Sequence, residues 1–217
     1  MKDLYSGVIY DAMYFDLGLK DFVINPSIFP VFELNEPVFG PAFTCLGKRV
    51  RDESEIDDFV RLKMFNDFTS NCIQVIDGKS NMGVAHFGDI SGILAAKFGA
   101  VGAVIDGYTR DVSILKKNNF PVAAYGARME DAYGKWQIVD YQVPIEITGV
   151  AQFITVNPGD YIFMDMDGGV VIPQNAFGDV VERAYTRLEN EDEIRREIKN
   201  IDTVEQLIEM YNRRGRW

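Results

Sequence analysis

The chain has 217 residues, 47% of them hydrophobic and 12% aromatic, with a formal charge of -11 at pH 7. That length supports one sizeable core, and the composition argues against disorder outside the tail. The acidic balance disfavours a duplex-binding surface, which needs clustered Lys and Arg. No direct nucleic-acid contact is expected; metal cations and small anions held by local groups remain open.

Residues 4–18 read as a helix closed by Gly18, and 37–50 as a strand punctuated by Gly and Pro. Residues 55–69 read as a helix with Ile56, Phe59, Val60, Met64 and Phe68 on one face. "CIQVI" (72–76) and "MGVAHF" (82–87) read as strands, with "DGKSN" as a turn between them. A helix over 88–100, a buried strand over 101–106, a short helix over 109–119 and a strand over 121–126 complete an α/β centre. Residues 127–173 read as β-rich, with turns at "NPGD" and "DGG", and the last forty or so residues as charged helices. No linker divides the chain, so one mixed α/β domain over 1–217 is expected.

The two cysteines, Cys45 and Cys72, form no CxxC pair and no disulfide framework, and read as buried thiols. Met1-Lys2-Asp3 leads into a mixed segment without a signal-peptide pattern, and no apolar run approaches the length of a membrane span. A cytoplasmic protein without a membrane partner is the expectation.

The centre is where chemistry is expected. Strand 82–87, helix 90–99 and strand 101–106 read as a βαβ unit with parallel strands. Asp89, Arg110 and Asp111 then fall at strand C-termini beside helix N-termini, the edge at which open α/β sheets bind ligands. Helix N-termini add free amides and a positive dipole end. Twenty residues separate Asp89 from Arg110, about one strand-plus-helix unit. Arg110 can pair bidentately with a carboxylate, Asp111 offers a hard oxygen to Mg²⁺ or Mn²⁺, and Gly88 lets a ligand approach the backbone. A mutual Arg110–Asp111 ion pair is a poor account, since neighbours in sequence do not face each other on a helix. The bland alternative makes Asp89 an N-cap and Arg110-Asp111 an exposed first turn. Convergence of all three on one edge favours a site.

Other candidates read as structural. His86, the only histidine, reads as a packed strand-end residue. Asp165, Asp167 and Gly168-Gly169 read as a hairpin turn, Arg128 as a surface ion pair, and the charge run 189–199 as a solvated helix face. Lys79 and Lys97 are the rival nucleophiles of a Schiff-base aldolase, but neither has a desolvating or cationic neighbour in sequence.

The stretch "HFGDISGILAAKFGAVGAVIDGYTRD" (86–111) resembles the signature of the RraA-like family. "YSGVIYDAM…LG" (5–18), "FGPAFTC" (39–45), "FPVAAYG" and "VNPGDYIFMDMDGGVVIP" follow in family order. That family includes 4-hydroxy-4-methyl-2-oxoglutarate/4-carboxy-4-hydroxy-2-oxoadipate aldolases and the regulator of RNase E activity A. The resemblance implies a compact β/β/α, swivelling-domain-like fold with helical terminal segments, the charged tail starting near residue 184. It implies a homotrimer or homohexamer with sites between subunits. It also implies a divalent-metal-dependent aldolase (Mg²⁺ or Mn²⁺) cleaving a 4-hydroxy-2-oxo acid to pyruvate, with oxaloacetate decarboxylation as a side activity. Carried over by position, Gly88, Asp89, Ile90 and Ser91 form the substrate loop, Arg110 contacts substrate, and Asp111 anchors the metal. Glu191, in "EDEIRREI", approaches that metal from a neighbouring subunit. The family's other implied role is a non-enzymatic regulator binding an RNase or helicase.

Overall fold

The computed structural model describes residues 1 and 3–215. In chain order, α1 (Ser6–Asp11) runs on into a wider helical turn, and β1 (Phe29–Pro30) and β2 (Val38–Arg49) follow. Next come α2 (Asp58–Lys63), β3 (Cys72–Asp77), β4 (Ala85–Phe87), α3 (Asp89–Lys97), β5 (Ala100–Asp106), β6 (Tyr108–Thr109), α4 (Val112–Lys117) and β7 (Val122–Ala124). The last part holds β8 (Trp136–Tyr141), β9 (Ile145–Thr148), β10 (Phe153–Val156), β11 (Tyr161–Asp165), β12 (Gly168–Ile172), α5 (Phe177–Ile198) and α6 (Val204–Arg214).

The main sheet runs β1-β7-β5-β3-β2-β11-β12, with β8 also paired to β2. Its centre, β2-β3-β5-β7, is parallel. "CIQVI" and "AVGAVI" suit that place because strands covered on both faces read as continuous apolar runs. Alternate residues feed opposite cores. Cys72 and Ile76 join Ala95 of α3 and Leu115 of α4 on one face. Ile73 and Val75 join Ile147 and Ile154 of the β9–β10 hairpin on the other. A third cluster packs α1 and α5, through Val8, Ile9, Val180 and Ala184, on Phe163 and Ile172. Hairpin, sheet and helices thus form the expected β/β/α layering. The sheet curls toward closure where Val23 bridges Val170 and Ile24 bridges Gly149. Among the described residues no helix is long and apolar enough to cross a membrane.

Three local expectations are corrected. Strand 82–87 shrinks to β4 and does not lie beside β5; it pairs with β6 in a separate two-stranded parallel sheet. The longer β3, buried for five consecutive residues and so covered on both faces, takes the place next to β5. The helix over 55–69 breaks into α2 flanked by short 3-10 turns. Its apolar face is displaced accordingly: Met64 and Phe65 are buried, whereas Phe59 is 67% exposed. The helix over 109–119 begins only at Val112, because Thr109 still belongs to β6 and Asp111 adopts a left-handed conformation (φ 57, ψ 33).

Candidate active site

The short β4–β6 pairing builds the site. Phe87 lies opposite Thr109, so the two chain exits, Gly88 and Arg110, emerge side by side. The Arg110 amide donates to the Phe87 carbonyl at 2.8 Å, and the buried Thr109 hydroxyl donates to the same oxygen at 2.9 Å. The sequence-based reading therefore placed Gly88-Asp89 and Arg110-Asp111 at one edge, as the structure does, but through the wrong strand partner.

Gly88 is the N-cap of α3, and Asp89, Ile90 and Ser91 form its first turn. Asp89 is thus not the cap. The Asp89 amide donates to Asp111 Oδ2 at 3.3 Å. The Ile90 and Ser91 amides have no partner among the described residues, as expected of a helix start. The Asp89 carboxylate, half-buried, likewise has none.

Arg110 and Asp111 do pair, at 3.4 Å between Nε and Oδ2. The helical-spacing argument against that pair fails because Asp111 precedes the helix in the left-handed region, which turns its side chain back toward Arg110. Both side chains rest on Gly88. A Cβ there would come within 2.7 Å of Asp111 Oδ2 and 3.1 Å of Arg110 Nε. Arg110 also reaches Asp131 Oδ2 at 2.6 Å through its terminal nitrogen. The Tyr133 amide, at 2.7 Å, and then Arg110 hold the Asp131 carboxyl below the usual carboxylate range. Sequence reasoning missed Asp131. It reaches the site through one isolated bridge to Ala85, which leaves no periodic pattern.

Beside this seat opens a cavity of about 440 Å³, within the size range of small-molecule sites. Its rim carries Asp89, Ile90, Ser91, Arg110 and Asp131, and its floor Gln74, Ile76, Trp136 and Ile138. His86 forms part of the wall as a packed residue. Its Nε2–H donates to the Asn81 carbonyl at 3.0 Å, and Nδ1 accepts from the Tyr108 amide at 3.2 Å. The ring stands edge-on to Trp136, and a Cβ at Gly107 would come within 2.4 Å of it. Burial pushes the imidazole below its ordinary value. Both ring nitrogens are thereby committed to the backbone.

None of the remaining candidates lines the cavity. Lys79 pairs with Asp77 at 2.9 Å and with buried Asp106 at 3.5 Å, so its amine is committed. Lys97 lies in the last turn of α3. Arg128 pairs with Glu130 at 3.2 Å. Asp165 opens the two-residue β11–β12 turn and accepts from the amides of Asp167 and Ser6. Burial pushes the Cys45 thiol up to about 12 and the Cys72 thiol up to about 11. Glu191 lies on α5, where it accepts from Tyr5 and pairs with Arg195 at 2.6 Å.

Among the described residues no group of three His, Cys, Asp or Glu gathers as a metal cage. Asp111 alone still fits Mg²⁺ or Mn²⁺, since such ions keep several waters and take one or two carboxylates plus substrate oxygens. Its side chain is one-third exposed and borders the open surface beside Arg110.

The profile of the Aldolase/RraA family matches residues 7–171. A protein of Halalkalibacterium halodurans named "Putative 4-hydroxy-4-methyl-2-oxoglutarate aldolase" is 32% identical over 161 residues, covering 74% of this chain and 71% of that one. Protein DlpA of Legionella pneumophila is 32% identical over 137 residues; the match covers 63% of this chain but only 22% of DlpA. The solved structure of Streptomyces coelicolor RraAS2, described as an unusual member of the RNase ES inhibitor RraA family, superposes with a TM-score of 0.74 at 21% identity. That match covers 90% of this chain and 93% of RraAS2 and speaks for the fold alone. With its profile spanning the layered sheet and the Gly88–Arg110–Asp111 seat, the chain belongs to the Aldolase/RraA family.

Proposed function

We propose that this chain is a divalent-metal-dependent aldolase that cleaves a 4-hydroxy-2-oxo acid to pyruvate and a second oxo compound. One observation carries the reading: Arg110, Asp111 and the free amides of α3 converge over Gly88, with Arg110 and those amides bordering the cavity and Asp111 the open surface beside it. An oxo-acid carboxylate suits the Ile90 and Ser91 amides and the Arg110 guanidinium. The Asp89 carboxylate, directly or through a water, takes the proton of the C4 hydroxyl. As the C3–C4 bond breaks, its electron pair forms the C2–C3 double bond and the 2-oxo oxygen gains negative charge. Arg110 stabilises that developing charge. A proton delivered to C3 completes pyruvate. A Mg²⁺ or Mn²⁺ ion held by Asp111, with Glu191 of a neighbouring subunit, would supply Lewis-acid polarisation of the 2-oxo group. Oxaloacetate decarboxylation passes through the same enolate and is the expected side activity. In this reading the protein assembles as a trimer or hexamer in the cytoplasm.

The test is pyruvate release over a panel of 4-hydroxy-2-oxo acids, with Mg²⁺, with Mn²⁺ and with chelator. The expected result is activity that chelation removes and either ion restores. Activity surviving both chelation and Asp111→Ala overturns the metal scheme. Silence across the panel points instead to a regulator that binds an RNase or helicase.

A further inference from the structure

The cavity floor carries two polar atoms without partners. Gln74 is 2% exposed and Trp136 5% exposed, and both line the cavity. The Gln74 amide nitrogen faces the sulfurs of Cys45 at 3.4 Å and Met64 at 3.8 Å. That leaves its carbonyl oxygen Oε1 as the free end, and neither Oε1 nor the Trp136 indole Nε1–H has a hydrogen-bond partner among the described residues. A buried donor or acceptor left unmade forfeits the hydrogen bond it had to water, so two on one floor call for an explanation. Gln74 is also anomalous by pattern. It interrupts the apolar run of β3, where Ile or Val would pack without penalty.

The rest of the floor and lower wall is apolar: Met64, Phe65, Ile76 and Ile138. Every charged lining residue stands at the rim, and on the α2 side Asp57 and Asp58 outnumber Arg61. A carboxylate pushed onto this floor would meet an amide oxygen and no cation, a costly burial. A hydroxyl fits both orphans, since it donates to an acceptor and accepts from a donor.

We propose that the floor selects the part of the substrate beyond C4, and that this part is uncharged and hydroxylated, with one hydroxyl between Gln74 Oε1 and Trp136 Nε1–H. The preferred substrate class is then a polyhydroxylated 2-oxo monocarboxylic acid rather than a dicarboxylic one. This rests on the aldolase reading for the head group but not for the floor.

Three probes separate the two: 4,5,6-trihydroxy-2-oxohexanoate, 4-hydroxy-2-oxohexanoate with an unhydroxylated tail, and the diacid 4-hydroxy-2-oxoglutarate. Binding is measured by calorimetry and cleavage by pyruvate release, on the full chain with Mg²⁺. The trihydroxy acid is expected to bind about fivefold to tenfold tighter than either other probe. Gln74→Leu and Trp136→Phe should each erase most of that margin and leave affinity for 4-hydroxy-2-oxohexanoate unchanged. Gln74→Leu should also keep or raise the thermal midpoint, since it removes an unpaired buried oxygen; a structural glutamine would lower it. Tighter binding of the diacid, or equal losses on all probes, overturns the floor assignment. Selective binding without pyruvate release upholds the floor and overturns the aldolase reading alone.

Discussion

The Asp111 carboxylate oxygen Oδ2 lies 3.3 Å from the Asp89 amide and 3.4 Å from Arg110 Nε. One oxygen thus joins the start of α3 to the guanidinium that closes the cavity mouth. The arrangement needs a backbone with no Cβ beneath it, because Gly88 leaves only 2.7 Å between its missing Cβ and that oxygen. Gly88→Ala must displace Arg110 or Asp111. Misplacing catalytic groups by about 1 Å costs on the order of 10²-fold in rate. The expected outcome is a kcat/KM for pyruvate release reduced about a hundredfold. The thermal midpoint should change little, since Gly88 is half-buried and has an extended φ of -139 that alanine tolerates. Near-wild-type kinetics would show that the Gly88 seat is not the reacting site.

Asp131 holds the other end of Arg110, so its loss should act through positioning. Asp131→Asn is expected to raise KM severalfold while kcat stays within about twofold, as binding geometry loosens but the reacting groups remain. The pH dependence has a definite sign. The Tyr133 amide and Arg110 depress the folded carboxyl, so its stabilisation is present above the unfolded value near 3.9 and lost as pH falls through the folded one. Because the pair is exposed, the effect is modest. Thermal midpoints of wild type and Asp131→Asn should therefore differ above about pH 4 and converge toward pH 2.

How far the molecule was legible in advance turns on strand length. β3 and β5 announce themselves because a strand covered on both faces is apolar along most of its length. β4 and β6 hold three and two residues, too few for a period, and their pairing is decided by the departure of the chain from the sheet at Gly107. The edge was still read correctly, since Gly88-Asp89 and Arg110-Asp111 carry local backbone chemistry. Asp131 and Gln74 were not singled out. One is brought in by a single long-range bridge; the other breaks the apolar run of β3, but only the cavity beside it gives that break a use. On α2 a helical stripe was visible, yet the 3-10 turn after Lys63 rotated Phe65 inward and left Phe59 outside.

His86 gives a pH effect of the same sign, from a base rather than an acid. Burial holds the folded imidazole below its ordinary value near 6.5. Between that folded value and 6.5 the unfolded chain binds more protons, so stability rises with pH across the window. The thermal midpoint should fall as pH drops below about 6.5. His86→Gln, which can keep a donor toward Asn81, should flatten that slope. An unchanged slope in the variant would place the titration elsewhere.

Lys79 tests a structural role against a catalytic one. Its ammonium neutralises Asp77 and the fully buried Asp106, and Asp106 in turn accepts from the Thr148 amide at 2.7 Å and from its hydroxyl. Removing one partner of a buried pair leaves an uncompensated charge, at a cost of about 3–5 kcal/mol. The Thr148 bonds and the partial exposure of Lys79 put Lys79→Met at the low end of that range. Urea unfolding should show the loss, and adding Asp106→Asn should recover most of it, since the charge left behind is the cause. Pyruvate release per folded molecule should survive in the double variant, and borohydride with pyruvate should trap no adduct on the wild type. A trapped adduct at Lys79 would replace the metal scheme with a Schiff base, because the two mechanisms stabilise the same enolate by different means.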